Sequence, residues 1–167
     1  MEVFNLEKID KDSLYYLYLE ILRLHFYRTH VLLDEIGVYP GQPPLLFILS
    51  KGDGLSQTEI ATKLDVKPST ITVMLRRMEK ANLVERRQDA LDQRVSRVYL
   101  TDEGRETCKK AMKITKKLEE ECFGNFTIEE KVLFRRLLMQ MRDNLVGAND
   151  KDLDSIKCKG FKKELYK

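Results

Sequence analysis

Residues 56–100, SQTEIATKLDVKPSTITVMLRRMEKANLVERRQDALDQRVSRVYL, decide how this chain is built, because helical spacing gives way there to strand alternation. The opening "SQTE" has the Ser-x-x-Glu spacing of a capping box: Ser56 can accept from the first-turn amides while Glu59 reaches back. A helix is expected from that point, with Ile60, Ala61 and Leu64 on its apolar face. After Asp65-Val66 a second helix is expected, with Pro68 near its first turn, where a missing N–H is tolerated. Two short helices joined by about three residues are a helix-turn-helix candidate.

On a wheel of 100° per residue the second helix places Ile71, Met74, Leu75 and Met78 together, at i, i+3, i+4 and i+7, so this side faces a core. Ser69, Val73, Arg76, Arg77 and Lys80 fall opposite. Small hydroxyl and β-branched residues near the N-terminal half, with cations further along, suit a helix lying in a DNA major groove. The same cations would also suit an ordinary solvated face, so the neighbouring elements have to decide.

Those neighbours alternate. Leu83 and Val84 to Gln88, a polar "DALDQ" tip, then Val95, Arg97 and Val98 to Leu100 read as a hairpin with a long loop. Helix, helix and hairpin in this order form a winged-helix arrangement, with the tip projecting beside the second helix. From Ser56 to Leu100 nine basic residues stand against six acidic ones, an excess equal to the +3 of the whole chain. A pI near 8.7 permits a nucleic-acid partner without requiring one.

Outward from this segment, residues 12–36 read as a helix whose first half, from Leu14 to Leu24, is apolar nearly all round, as expected of a helix buried in a core or by another chain. "GVYPGQPP" breaks it, and "LLFILSKGDG" gives a short apolar helix that stops at Gly52 and Gly54. "TDEG" starts a long helix at Thr101 that runs to about Gly124. A second capping box, Thr127 with Glu130, opens a last helix carrying Val132, Leu133, Leu137, Leu138, Met141 and Leu145 on one side.

Over residues 12–147 the sequence resembles the MarR family of transcription regulators. The resemblance rests on "GLSQTEIATKLDVKPSTITVMLRRMEKANLVERR", the wing "DALDQR", "VSRVYLTDEG" and the helices at both ends. The Asp-x-Arg of the wing followed by "LT..G" is its most telling part. It implies a mainly α fold with a small β-hairpin wing, a winged helix-turn-helix domain plus terminal helices forming a dimerisation domain. On this reading residues 1–36 and 102–149 dimerise, 37–101 bind DNA, and 150–167 are a lysine-rich tail.

The function it implies is that of a sequence-specific regulator, a repressor, binding a pseudo-palindromic operator in double-stranded DNA as a homodimer. Leu14, Leu17, Ile21, Leu137 and Met141 are expected at the dimer interface. The DNA-facing set is Ser56, Lys67, Pro68, Ser69, Thr70, Thr72, Val73, Arg76 and Arg77, with Arg86, Arg87, Asp92 and Arg94 on the wing. Arg94 would enter the minor groove or grip its backbone, with Asp92 holding the guanidinium. Arg86 and Arg87 suit phosphate contacts. The family also implies release of DNA by a small aromatic or phenolic effector, for which His25, Arg28, His30, Tyr39 and Phe47 are candidates.

Other classes find less support. No nucleophile elbow, phosphate-binding glycine loop or metal-ligand pair marks an enzyme, and neither a metal nor a cofactor is expected. A peroxide sensor of this family would need a cysteine in the first helix, whereas the three cysteines are Cys108, Cys122 and Cys158. Cys108 and Cys122 would lie about 21 Å apart on one helix, too far for a disulfide within the chain. A protein-binding scaffold lacking DNA affinity would call for an apolar or acidic outer face in place of the arginines. The longest greasy stretch, Leu14 to Phe26, is interrupted by Glu20, Arg23 and His25 and falls short of a membrane span. With an odd cysteine count and no leader-like pattern in "MEVFNLEKID", a cytoplasmic location is expected.

Overall fold

The computed structural model describes residues 10–149. The lysine-rich tail and Cys158 lie outside the described residues. The chain divides into two units, one ending at Pro40 and the other beginning at Gly41.

The first unit holds α1 (Leu14–Asp34), capped by the Ser13 side chain, which accepts from the Tyr16 amide at 3.1 Å. It ends at Gly37, whose φ of 65° closes a turn in which the Val38 amide bonds the Leu33 carbonyl and the Gly37 amide that of Asp34. These paired 6→1 and 5→2 bonds satisfy carbonyls the helix leaves open.

The second unit runs α2 (Pro43–Lys51), β1 (Leu55–Ser56), α3 (Gln57–Leu64), α4 (Pro68–Lys80), β2 (Val84–Gln88), β3 (Ser96–Leu100), α5 (Asp102–Phe123) and α6 (Ile128–Asn149). It is mainly helical, with a small three-stranded antiparallel sheet in the order β1-β3-β2. The expected hairpin is present, and the two-residue β1 adds to its other edge, pairing Leu55 with Val98 and Ser56 with Arg97.

Both capping boxes form. Ser56 and Glu59 bond each other's amides at 2.7 and 3.2 Å, and Thr127 and Glu130 do so at 2.8 and 3.2 Å. The helix-turn-helix pair ends the way α1 does, with Asp65 and Asn82 supplying the left-handed residue at φ 54° in each case. After α3 the Val66 amide bonds the Ala61 carbonyl, and after α4 the Leu83 amide bonds that of Met78. Asp and Asn are among the few side chains that tolerate this region, so both helices stop where the sequence offers one.

The core of this unit joins Leu45, Leu46 and Leu49 of α2, Ile60 and Ala61 of α3, Ile71, Leu75 and Met78 of α4, Leu83, Val84, Val98 and Leu100 around the sheet, and Cys108 of α5. On the apolar side of α4, Ile71, Leu75 and Met78 are thus fully buried, and Met74 packs partly buried against the same core. Burial pushes the Cys108 thiol above its usual range, which keeps it protonated, whereas Cys122 is exposed. At the other end of α5, Phe123, Phe126 and Phe134 pack their rings with centroids 5.7–5.9 Å apart, turning the chain into α6. No helix among the described residues is long and apolar enough to cross a membrane.

The wing meets α5 at a tight corner. The Thr101 hydroxyl donates to the Asn82 carbonyl at 2.6 Å and accepts from the Gly104 amide at 2.9 Å, while the Thr101 amide donates to the Leu83 carbonyl at 3.2 Å. A Cβ at Gly104 would overlap that same Leu83 carbonyl oxygen, a backbone atom that cannot move aside on its own. The "LT..G" spacing therefore has a steric cause: only glycine lets α5 leave so close to the turn after α4.

Gly104→Ala is expected to cost about 1–3 kcal/mol in urea unfolding. Gly52→Ala, where an added Cβ meets nothing within 4 Å and the backbone is already extended, should change stability by less than about 0.5 kcal/mol.

Candidate nucleic-acid interface

The outer side of α4 is built by exclusion. With Ile71, Leu75 and Met78 buried, the helical period leaves Ser69, Val73, Arg76, Arg77 and Lys80 exposed on the opposite side, as the wheel anticipates. Val73, Arg76, Arg77, Glu79 and Lys80 line a shallow recess there. Lys67 occupies the N-cap in extended conformation with no side-chain cap, and Pro68 follows at the first helical position. Pro68 has no N–H and the Thr70 and Ile71 amides donate to the Lys67 carbonyl, so the exposed start of α4 offers the Ser69 amide and hydroxyl at the positive end of the helix dipole.

Thr70 is exposed, but Thr72 is half-buried and its hydroxyl is occupied. It donates to the Pro68 carbonyl at 3.0 Å and accepts from the Gln57 side-chain amide, which also donates to the Pro68 carbonyl at 3.1 Å. Gln57 thus bolts the start of α3 to the first turn of α4 and sets the angle at which α4 is presented. Sequence reasoning passed over Gln57, because nothing in its spacing points to a partner fifteen residues on. Ser56 is likewise half-buried, its hydroxyl bonded in the capping box.

The wing's arginines divide into groups the sequence did not separate. Arg86 pairs with Glu79 of α4 at 2.8 Å. Arg87 pairs with Glu85 and lies 4.8 Å over the Tyr99 ring. Arg87 and Arg97 face each other directly across β2 and β3, a repulsive placement unless each charge is otherwise engaged. Arg97 is engaged on three sides: its Nε donates to Asp89, its Nη1 donates to the Gly54 carbonyl at 2.9 Å, and Glu59 stands 3.7 Å away. Arg76 and Arg94 are exposed and form no ion pair with a described residue.

The wing tip corrects one expectation. Asp92 does not hold the Arg94 guanidinium; its carboxylate accepts the Arg94 backbone N–H at 2.9 Å. The carboxylate of this turn that meets a guanidinium is Asp89, which accepts from Arg97 and also from the Leu91 and Asp92 amides at 2.8 and 3.0 Å. Asp92 thus shapes the turn that carries Arg94, and leaves its side chain outward.

The effector candidates are spread along the chain. His25 and His30 are exposed and Arg28 is half-buried on α1, with the His30 ring 6.4 Å from that of Phe26. Tyr39 is exposed in the same unit, and Phe47 is half-buried on α2, packed against the winged-helix core. Among the described residues no group of three or more His, Cys, Asp or Glu side chains could hold a metal ion.

Hydrogen bonds from Arg97 and from the Asp92 and Leu91 amides lower the Asp89 carboxyl from 3.8 to about 2. A depressed acid stabilises the fold above its unfolded value and loses that contribution as pH falls toward the folded one. Asp89→Asn should therefore be less stable than wild type at neutral pH, with the gap closing between about pH 4 and pH 2. Urea midpoints measured across that range, with carboxyl NMR titration of Asp89, check this.

The MarR family profile matches residues 38–96. The HTH-type transcriptional repressor MdtR of Bacillus subtilis (strain 168) is 42% identical over 72 residues, 43% of this chain and 46% of that protein. The HTH-type transcriptional regulator YsmB of the same organism is 32% identical over 117 residues, 68% of this chain and 78% of that one. The crystal structure of the S. aureus MepR–DNA complex is similar with a TM-score of 0.68 at 25% identity, covering 79% of this chain and 98% of that one. The chain spans less than half the length of MdtR and more than three quarters of YsmB. With the helix-turn-helix, the wing and these likenesses in agreement, the chain belongs to the MarR family of winged-helix transcription regulators.

Proposed function

We propose that the protein is a cytoplasmic homodimer that binds a pseudo-palindromic site in double-stranded DNA and represses transcription by occupying it. Two copies of α4 enter major grooves about one turn apart, and each wing reaches the flanking minor groove. The observation that carries this reading is the division of the cations. Arg86, Arg87 and Arg97 are paired within the fold, whereas Arg76, on the outer face of α4, and Arg94, at the wing tip, are exposed and form no ion pair with a described residue. MepR as a DNA complex and MdtR as a repressor support the choice of partner and of sign.

Within the DNA-facing set, the Ser69 hydroxyl and amide suit phosphate, Val73 and Arg76 suit base edges, and Arg94 suits the electronegative minor groove. Lys67, Arg77 and Lys80 add sequence-independent attraction.

Dimerisation is assigned to residues 1–36 and 102–149, and DNA binding to 37–101. Apolar side chains left in water support this: Leu14 is 86% exposed, and Leu17, Ile21 and Leu137 are exposed too, with Met141 half-buried. Leaving so many large apolar groups uncovered on two helices is costly in a monomer, and a second copy would cover them. Release by a small aromatic or phenolic effector completes the reading, with His25, Arg28, His30, Tyr39 and Phe47 as its candidate contacts. Such a ligand acts by binding the DNA-incompetent arrangement more tightly than the competent one.

Selection from a random duplex pool should enrich an inverted repeat. Arg94→Ala should weaken binding to it and lower the magnitude of the log–log salt slope by about one for each wing that no longer touches a phosphate. Unchanged affinity and slope in the folded variant would sink the wing assignment. Leu17→Glu with Ile21→Glu should yield monomer or insoluble protein by light scattering, and a dimer of wild-type size carrying both changes would refute the α1 interface.

A further inference from the structure

At the wing tip Leu91 is 98% exposed, the most exposed large apolar side chain among the described residues. A single leucine in water is ordinary, so its exposure alone signifies little. Its setting signifies more. The turn that carries it is closed by five hydrogen bonds: the Leu91 and Asp92 amides to the Asp89 carboxylate, the Arg94 amide to the Asp92 carboxylate, the Val95 amide to the Asp92 carbonyl at 2.9 Å, and the Asp89 amide to the Val95 carbonyl at 2.9 Å. The second Asp89 oxygen is tied to Arg97, and Arg97 to the Gly54 carbonyl. The turn is therefore braced from its tip to the base of the sheet, and it holds Leu91 outward three residues from Arg94.

We propose that Leu91 makes an apolar contact with the deoxyribose walls of the DNA minor groove, beside the Arg94 guanidinium. This rests on the reading of the wing as a DNA-binding element, and adds to it a residue with no charge to offer. Two observations favour DNA over a protein partner. The residues that flank Leu91 in the turn, Asp89, Ala90, Asp92, Gln93 and Arg94, include no other large apolar side chain, so the turn's sequence supplies no patch of the kind protein interfaces need. The Asp89 carboxylate is taken up by the turn's amides and Arg97, and one Asp92 oxygen by the Arg94 amide, so that beside the exposed Asp92 and Gln93 the tip presents a cation and an aliphatic group. That pair matches a groove with an electronegative floor and walls of sugar C–H groups, where other proteins insert aliphatic side chains.

The test measures affinity for the selected inverted repeat by fluorescence anisotropy over a series of salt concentrations. Leu91→Ala should weaken binding about tenfold. Its log–log salt slope should equal that of wild type, since every cation keeps its phosphate. Leu91→Met, which keeps the aliphatic bulk, should bind within about twofold of wild type. Wild-type affinity in Leu91→Ala overturns the proposal. So does weaker binding with a reduced slope, which would trace the effect to a displaced Arg94. Failure of wild type to bind any duplex would remove the DNA-binding reading itself and the leucine's role with it.

Discussion

One guanidinium joins the parts of the winged helix. Arg97 sits at the centre of the three-stranded sheet, opposite Ser56 on one side and Arg87 on the other. From there it bonds Asp89 near the wing tip and the Gly54 carbonyl before β1, and it stands 3.7 Å from Glu59 at the start of α3. A planar fork of donors can serve several acceptors at once, which a lysine ammonium on a flexible stem does less well. The Ser56 amide and then its hydroxyl hold the Glu59 carboxyl below its usual range, and the charge of Arg97 adds a smaller effect in the same direction. The capping box that begins the helix-turn-helix and the turn that shapes the wing are thereby tied to one side chain.

This economy decides which charges remain for a partner. Arg86, Arg87 and Arg97 all carry charge on the wing, yet each is matched within the fold by Glu79, by Glu85 and the Tyr99 ring, and by Asp89. Such pairs on a surface contribute little to stability individually, but they fix the position of the strands that carry them. A wing presented at a set angle loses less conformational freedom on binding than a loose loop would. Arg76 and Arg94, which form no ion pair with a described residue, stand on the outer side of α4 and at the tip.

Two further constraints aim these surfaces. Gln57 and Thr72 lock the first turn of α4 against α3, so the outer face of α4 is held by a hydrogen bond as well as by its buried side. At the opposite end, Asn82, Leu83, Thr101 and Gly104 form the corner through which α5 leaves.

Much of this was legible in the residues. Both capping boxes, the inward set Ile71, Leu75 and Met78, the hairpin from Val84 to Leu100 and the start of α5 at Thr101 depend on neighbours within a turn or on a simple period, so the sequence by itself determined them. It also determined which residues of α4 look outward, because an amphipathic helix with one side buried has no other choice. Only the tertiary structure decided the fate of the wing's charges. Asp89 and not Asp92 meets a guanidinium, Arg97 and not Arg94 receives it, and Thr72 gives its hydroxyl to Gln57. Those pairings depend on strand register and on the approach of elements distant in the chain, and spacing along a sequence carries no record of which side chains will stand opposite one another across a sheet.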